Sequence, residues 1–203
     1  MKDIKLAIIY YSSTGTNYQL SKWAEEAAKE AGVAEVRLHK VKELAPKEAI
    51  EANKDWKKHL EETKDVPEAT MDDLEWADAY IFSAPTRYGN LPSQFKQFLD
   101  MTGGLWFSGK LVNKVVSGMT SAQNTHGGQE TTLLSLYKTM FHWGAIVAAP
   151  GYTDEAIFAA GGNPYGVSVA TAKDELNQNT KKAVAHQVKR TLDIANRIKL
   201  GNK

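Results

Sequence analysis

Apolar segments of strand length alternate with amphipathic segments along most of the chain. Residues 6–11 form a continuous apolar run, which is typical of a central parallel strand covered by helices on both faces. The period then becomes helical and Gly32 ends the predicted helix, whose buried positions are spaced i, i+3, i+4, i+7: Leu20, Trp23, Ala24, Ala27, Ala28 and Ala31. Residues 34–39 alternate between polar and apolar side chains, which predicts a half-buried strand near a sheet edge.

The same alternation predicts three further strands, over residues 79–84, 112–119 and 145–149. One intervening helix ends near Gly103 and buries Phe95, Phe98 and Leu99. The next helix buries Leu133, Leu134, Tyr137, Met140 and Phe141, and the last buries Val184, Val188, Leu192, Ala195 and Ile198. Residues 151–172 are predicted to form a long connection. Since parallel strands need crossovers, five such strands predict one doubly wound α/β domain over residues 1–203.

Residues 40–65 interrupt this alternation. Lys, Glu or Asp occupy 14 of these 26 positions, and the larger apolar residues among them are Leu44, Ile50, Trp56 and Leu60. We interpret the segment as an inserted, exposed helix of weak amphipathicity. The functional alternative to such a solvated face is a lid or a subunit contact.

Composition excludes several classes of function. The 203 residues include 25 basic and 24 acidic side chains, and the resulting net charge of +1 provides no field that attracts nucleic acid or an anionic membrane. The absence of cysteine excludes thiol catalysis and is compatible with a cytoplasmic protein. No run of about 18 apolar residues occurs, so we expect no membrane span. The five histidines have no ligand-like spacing, so we expect no metal site.

Three polar loops follow the first, third and fourth predicted strands, where doubly wound sheets bind ligands. The first loop contains Ser12, Ser13, Thr14, Gly15, Thr16 and Asn17. It lacks the Gly-x-x-x-x-Gly-Lys and Gly-x-Gly-x-x-Gly patterns, which argues against a triphosphate or a dinucleotide pyrophosphate. Hydroxyls beside helix N-terminal amides, with no lysine, suit a single terminal phosphate. The alternative is that these hydroxyls only cap the following helix.

The other two loops combine aromatic, cationic and amide groups. The second contains Pro85, Thr86, Arg87, Tyr88, Gly89 and Asn90. It suits a planar heterocycle, and the alternative is a Pro/Gly turn with a surface Tyr and Arg. The third contains Ser121, Ala122, Gln123, Asn124, Thr125, His126, Gly127 and Gly128. Together the three loops outline a mononucleotide site.

Two residues outside these loops are further candidates. Trp106 is a large aromatic residue in the glycine-rich segment 103–109, where a core residue is not expected. His142 lies off the main apolar face, near the end of its predicted helix. A histidine at that position more often interacts with the helix dipole than with a substrate.

Five short motifs occur in order between about residues 4 and 170: Tyr10-Tyr11-Ser12 with Gly15, then residues 85–90, 102–106, 127–130 and 163–166. Together they resemble the WrbA family of flavodoxin-like NAD(P)H:quinone oxidoreductases. The third loop departs from the family's Ser/Thr/Gly run, because it has more side chains and is one residue longer. The charged insert also differs from the usual connection.

The resemblance implies a flavodoxin-like five-stranded parallel sheet and a tightly, non-covalently bound FMN. Residues 12–17 would take the ribityl phosphate, residues 85–89 would flank the isoalloxazine ring, and residues 121–127 would close over it. His142 matches the family's flavin-side histidine and would be the catalytic residue. Tyr88 and Trp106 would bind planar substrates, with Trp106 reaching the site of a neighbouring subunit in a dimer or tetramer.

The activity that the resemblance implies is two-electron reduction of quinones by NADH or NADPH, through ping-pong hydride transfer. Backbone N–H groups of the turn at residues 85–88 would stabilise the negative charge on the flavin. Two other classes stay open. A flavodoxin-type carrier would pass single electrons to a protein partner, although such carriers are usually strongly acidic and this chain is not. A non-catalytic flavin-binding or scaffold protein is the second.

Overall fold

The computed structural model describes residues 3–173 and 176–201, apart from the side chain of Lys173, and a parallel sheet lies at its centre. The strands are β1 (Lys5–Tyr10), β2 (Glu35–Lys40), β3 (Ala79–Pro85), β4 (Val115–Ala122), β5 (Ile146–Val147) and β6 (Ser168–Ala170). Their order is β2-β1-β3-β4-β5, with β6 also paired to β4. Strands β5 and β6 pair with successive parts of β4 and therefore share the fifth position. The doubly wound α/β prediction is confirmed.

Helices cover both faces of the sheet. They are α1 (Thr16–Glu30), α2 (Lys47–Glu51), α3 (Lys54–Glu62), α4 (Met71–Trp76), α5 (Ser93–Asp100), α6 (Gly103–Phe107), α7 (Gln129–Trp143), α8 (Glu155–Ala159) and α9 (Gln178–Gly201). Within the described residues, no helix is long and apolar enough to cross a bilayer.

Alternating side chains of the central strands divide the core into two parts. Leu6 and Ile8 of β1 pack with α1 and α9, whereas Ala7 and Ile9 pack with α4, α5 and α7. This is the period of two that a strand buried on both faces imposes. Each fully buried Leu or Ile contributes about 1.5–3 kcal/mol relative to an exposed one. The two apolar layers therefore hold the loops at the carboxyl ends of the strands on a rigid support.

The insert differs from its prediction. Two helices, α2 and α3, replace the single exposed helix, because the side chain of Asn53 accepts hydrogen bonds from the amides of Asp55 and Trp56, both at 3.1 Å, and starts a new helix there. The insert is also not solvated on every face. His59 and Thr63 are 7% and 3% exposed, since they pack beneath the loop that follows β1.

Several predicted boundaries and faces are also wrong. Strand β4 begins at Val115 rather than at residue 112 and continues to Ala122, so Ser121 and Ala122 are strand residues. In α7, Leu134 and Phe141 are 39% and 63% exposed. The buried face instead contains Leu133, Leu136, Tyr137 and Met140, because these residues follow one helical stripe at i, i+3, i+4, i+7.

The two predicted irregular segments contain secondary structure. Trp106 belongs to α6, a short helix that starts directly at the paired glycines where the preceding helix was expected to end. The connection over residues 151–172 contains α8 and β6. The expected strand over residues 145–149 is reduced to β5, since β6 takes the remaining pairing edge of β4.

Candidate active site

A cavity of about 430 Å³ lies at the carboxyl ends of β1, β3 and β4. Strand order reverses between β1 and β3, and such a switch point opens a crevice for ligands. All three predicted loops contribute to the wall, which consists of Ser12, Ser13, Thr14, Thr16, Asn17, Pro85, Thr86, Arg87, Tyr88, Ser121, Ala122, Gln123, Asn124, Gly127 and Thr171. The volume lies in the range of small-molecule sites, roughly 300–1,000 Å³.

The first loop leads into the N-terminus of α1. Gly15 has φ +98°, and its amide donates to the Oγ of Ser12 at 3.0 Å. The first bond of the helical pattern runs from the amide of Gln19 to the carbonyl of Gly15 at 2.9 Å. The amides of Thr16, Asn17 and Tyr18 precede that bond, so they are available to a ligand.

No side chain in the described part of the chain caps α1, and its first turn contains no acidic residue. One loop hydroxyl, that of Ser12, accepts from the amide of Gly15 at the helix entry, but no loop hydroxyl accepts from the amides of the first turn of α1. The helix dipole and the free amides together favour a bound anion at this position.

Asn17 is buried and holds the loop against the sheet. Its Nδ2 donates to Ser83 Oγ on β3 at 3.0 Å, and its Oδ1 accepts from Ser121 Oγ on β4 at 2.6 Å. The side chain is 1% exposed. Asn17 can therefore offer a ligand its backbone amide, while its side chain positions the loop.

Arg87 connects the first two loops. Its guanidinium donates to Ser13 Oγ at 3.2 Å and to the carbonyl of Thr86 at 3.0 Å. It is the sole charged side chain among the described residues that line the cavity. A guanidinium beside hydroxyls and free helix amides gives the cavity a positive potential, which suits an anionic ligand.

Tyr88 and Gly89 form a tight turn at the mouth of the cavity. The amide of Arg87 donates to the carbonyl of Asn90 at 2.8 Å, and the amide of Asn90 donates to the carbonyl of Arg87 at 3.0 Å. The φ angle is +52° at Tyr88 and +76° at Gly89. Positive φ at both central residues is the feature of a type I′ turn. Tyr88 holds this conformation at a cost of about 1–2 kcal/mol, and its side chain is fully exposed. The strained turn thus presents an aromatic ring to solvent at the cavity mouth.

Most amides of this turn already have partners. Those of Thr86, Arg87 and Gly89 donate to Ser121 O, Asn90 O and Thr86 Oγ1. Within this turn, the amide of Tyr88 is the one for which the described residues provide no acceptor. Of the N–H groups expected to stabilise a flavin near this turn, the one of Tyr88 is therefore left without a protein acceptor among the described residues.

The third loop divides between two cavities. Gln123, Asn124 and Gly127 line the first, whereas Thr125 and His126 line a neighbouring cavity of about 430 Å³ on the other side of the loop. The backbone must be glycine here, since a Cβ on Gly127 would lie 2.4 Å from that of Ala122 and one on Gly128 would lie 2.7 Å from the Cα of Gly89. Thr125 and His126 are thus not placed in the predicted site.

Thr171 was missed. It follows β6 and reaches the cavity because the adjacent amide of Ala172 donates to the carbonyl of Gln123 at 2.9 Å. Finding Thr171 would have required predicting strand β6 within residues 151–172. A strand of three residues is too short to leave a periodic pattern in the sequence.

His59 lies directly behind the first loop. A Cβ placed on Gly15 would be 3.6 Å from His59 Nδ1, and the rings of His59 and Tyr18 are 5.6 Å apart. Burial lowers the pKa of His59; Lys40 acts in the same direction and Glu62 in the opposite one. A neutral imidazole therefore supports the loop from the side of the insert.

Trp106 and His142 lie together, but not at this cavity. Trp106 Nε1 donates to the carbonyl of His142 at 2.8 Å. His142 follows the start of α7 by 13 residues, or about 20 Å at 1.5 Å per residue, and the start of α7 is the end next to the cavity. Both side chains are exposed beside Phe107 and Phe141, which are 87% and 63% exposed. One chain alone therefore does not bring His142 or Trp106 to the predicted site.

Known sequences that are similar to this chain cover most of its length. Residues 4–154 match the family described as NADPH-dependent FMN reductase. A protein of Deinococcus radiodurans named NAD(P)H dehydrogenase (quinone) is 56% identical over 191 residues, which are 94% of this chain and 95% of that protein. A protein of the same name from Geotalea uraniireducens is 38% identical over 208 residues, covering 96% and 99% of the two chains.

Solved structures show the same fold. A flavodoxin, WrbA-like protein from Agrobacterium tumefaciens superposes with a TM-score of 0.68 at 19% identity, covering 96% of this chain and 99% of that one. The apo form of an NADH:FMN oxidoreductase named EMOB superposes with a TM-score of 0.60 at 14% identity, covering 94% and 89%. At these identities the likeness establishes the flavodoxin-like fold.

Proposed function

The chain belongs to the NADPH-dependent FMN reductase family, as a WrbA-like member, and from this premise we propose that it is an FMN-dependent NAD(P)H dehydrogenase (quinone). The description of the family indicates FMN as the cofactor, and the names of the relatives indicate a nicotinamide nucleotide and a quinone as the substrates. The cavity at the switch point is the place where we expect the reaction to occur.

The single observation that supports this function most strongly is the open N-terminus of α1 inside a hydroxyl-lined cavity. Free amides at Thr16, Asn17 and Tyr18, together with hydroxyl donors at residues 12–16, suit the phosphate monoester of FMN. Arg87 adds one positive charge at the border of the loop. A phosphate held in this way needs neither lysine nor a divalent cation.

The remainder of the cavity suits the flavin ring. Residues 85–88 form one wall, and residues 123–124 with Gly127 form the other. When bound, FMN supplies the two-electron chemistry that links nicotinamide and quinone. The amide of Tyr88, which has no protein acceptor among the described residues, would stabilise negative charge on a bound ring.

Tyr88 is the proposed binding platform for planar substrates. Its ring is fully exposed at the cavity mouth, where the backbone of the strained turn places this residue. One platform beside one cavity supports a ping-pong sequence, in which NAD(P)H occupies the place first and the quinone occupies it after the oxidised nucleotide has left.

In the proposed assembly, Trp106 and His142 contribute to the site of a second copy of the chain. Trp106, Phe107 and Phe141 form an exposed apolar patch beside His142, and such patches on a monomer commonly mark an interaction surface. We propose a homo-oligomer in which this patch faces the cavity of a neighbour. Trp106 would then complete the substrate slot, and His142 would donate a proton to the quinone oxygen.

Steady-state kinetics tests this function. NADH or NADPH is varied at several fixed concentrations of benzoquinone, with FMN-loaded protein and with flavin-free protein as the control. The proposal predicts turnover that requires FMN and parallel double-reciprocal lines. Intersecting lines would contradict the ping-pong order. An FMN-loaded protein that reduces no quinone would favour the electron-carrier alternative.

A further inference from the structure

Glu43, at the carboxyl end of β2, accepts an unusual number of hydrogen bonds. Its Oε2 accepts from Tyr11 OH and from Trp56 Nε1, both at 3.1 Å. Its Oε1 accepts from Gln94 Nε2 at 2.7 Å and from its own chain at the amides of residues 44 and 45, at 2.8 and 2.9 Å. One half-buried carboxylate therefore has five donors within hydrogen-bond distance.

Three of these donors come from separate segments near the first loop. Tyr11 directly precedes Ser12, the first residue of that loop. Gln94 is in the first turn of α5, just after the Tyr88–Gly89 turn, and Trp56 is in the insert. Glu43 itself follows β2, the neighbour of β1. The carboxylate thus joins the carboxyl ends of β1 and β2, the start of α5 and α3.

Tyr11 is the part of this network that adjoins the first loop, because it directly precedes Ser12. Its side chain is 3% exposed. Burial, and then the negative charge of Glu43, raise the pKa of Tyr11 well above its ordinary value, so the hydroxyl keeps its proton and donates a hydrogen bond to the carboxylate. This bond fixes Tyr11, which directly precedes Ser12. Ser12 Oγ in turn accepts a hydrogen bond from the amide of Gly15.

The chemistry of the five donors requires a carboxylate. Two carboxylate oxygens offer about four acceptor sites, whereas a glutamine amide has one acceptor oxygen and an NH2 group that would face donors. The negative charge of Glu43 does not itself favour the ligand, because it would repel a phosphate. The role of Glu43 toward the cavity is consequently one of geometry.

We infer that Glu43 is a positioning residue, which holds the first loop through Tyr11 in the conformation that binds the FMN phosphate. This inference rests on the proposed function. It assigns part of the charged insert a task in cofactor binding.

The test compares FMN with riboflavin, which lacks the phosphate, as ligands for the flavin-free full chain. Dissociation constants are measured by quenching of flavin fluorescence for the wild type, Glu43→Gln and Tyr11→Phe. We expect both variants to weaken FMN binding about tenfold or more and riboflavin binding less than about threefold. Trp56→Phe is the matched control, because it removes a bond to the same carboxylate on the side of the insert. It should leave the ratio of the two dissociation constants unchanged.

The two proposals fail in different ways. A wild type that does not bind FMN would contradict the proposed function. A wild type that binds FMN, with a ratio that Tyr11→Phe and Glu43→Gln do not change, would overturn the inference. If Glu43→Gln does not fold, Tyr11→Phe still decides, since it keeps the carboxylate and its other four bonds. Effects that simply add in the double variant would also contradict a shared pathway through the Tyr11–Glu43 bond.

Discussion

Ser121 donates a hydrogen bond of 2.6 Å to the amide oxygen of Asn17, across 104 residues of sequence. The other end of the same amide donates to Ser83 at 3.0 Å. These contacts tie the loop after β1 to β3 and β4, the two strands that form the floor of the cavity. Both serine hydroxyls are buried, so the contacts are screened from water and keep the loop in one register.

Replacing Asn17 with Leu should therefore destabilise the fold. Leucine has a similar volume but leaves the Ser121 hydroxyl without its acceptor, and a buried unsatisfied polar group costs about 1–3 kcal/mol. The free energy of unfolding from urea denaturation checks this expectation. Asn179→Leu, at an exposed position of α9, is the control and should change stability by less than about 0.5 kcal/mol. Equal effects of the two substitutions would remove Asn17 from this role.

Gly15→Ala and Gly32→Ala form a matched pair that separates backbone strain from cofactor binding. Both glycines have positive φ, +98° and +76°, and neither position has a severe steric clash for a Cβ. Each substitution should cost about 1–2 kcal/mol of stability. Gly15→Ala should in addition weaken FMN binding, because it shifts the amides at the start of α1, and Gly32→Ala should not. Equal FMN affinities for the two variants would argue against a phosphate at this loop.

The exposed patch gives a prediction about assembly. Phe107→Ser should shift the protein toward monomer in sedimentation velocity and raise the quinone KM, because it removes the most exposed aromatic side chain of the patch. Trp106→Ala should raise the quinone KM as well, and both variants should keep FMN. Leu200→Ser, at another exposed apolar position, should change neither property. Normal quinone kinetics in a monomeric Phe107→Ser variant would show that the neighbour contributes nothing to the slot.

Because burial lowers the pKa of His59, the free energy of unfolding should depend on pH. This pKa lies below the ordinary value of 6.5 in the folded state, so the unfolded state binds more protons as the pH falls. The contribution of His59 to stability is therefore complete above pH 6.5 and is lost as the pH falls below that value. Unfolding free energies of wild type and His59→Gln measured across this range should converge toward acid. Parallel profiles would contradict the assignment.

Strands β1 to β4 and the first two loops could be predicted because their signals are local. The apolar run at residues 6–11 and the hydroxyl-rich residues 12–17 each need only neighbouring positions to be interpreted. The ends of parallel strands then meet by the rules of the fold. The family motifs added the identity of the cofactor.

The remaining features depend on contacts that no local pattern encodes. Glu43 lies in a segment so rich in Lys and Glu that one carboxylate with five donors could not be told from the others. The bond between Trp106 and the carbonyl of His142 spans 36 residues and places both away from the cavity of their own chain. Ser121 was expected in a loop, but its strand position turns its hydroxyl toward Asn17.

A calorimetric titration of FMN into the flavin-free protein tests the central claim most directly, with riboflavin injected in a parallel run. Our account predicts saturation at one FMN per chain with a dissociation constant below about 1 μM, and clearly weaker binding when the phosphate is missing. No heat on FMN injection, or equal affinity for the two flavins, would contradict a phosphate held at the N-terminus of α1.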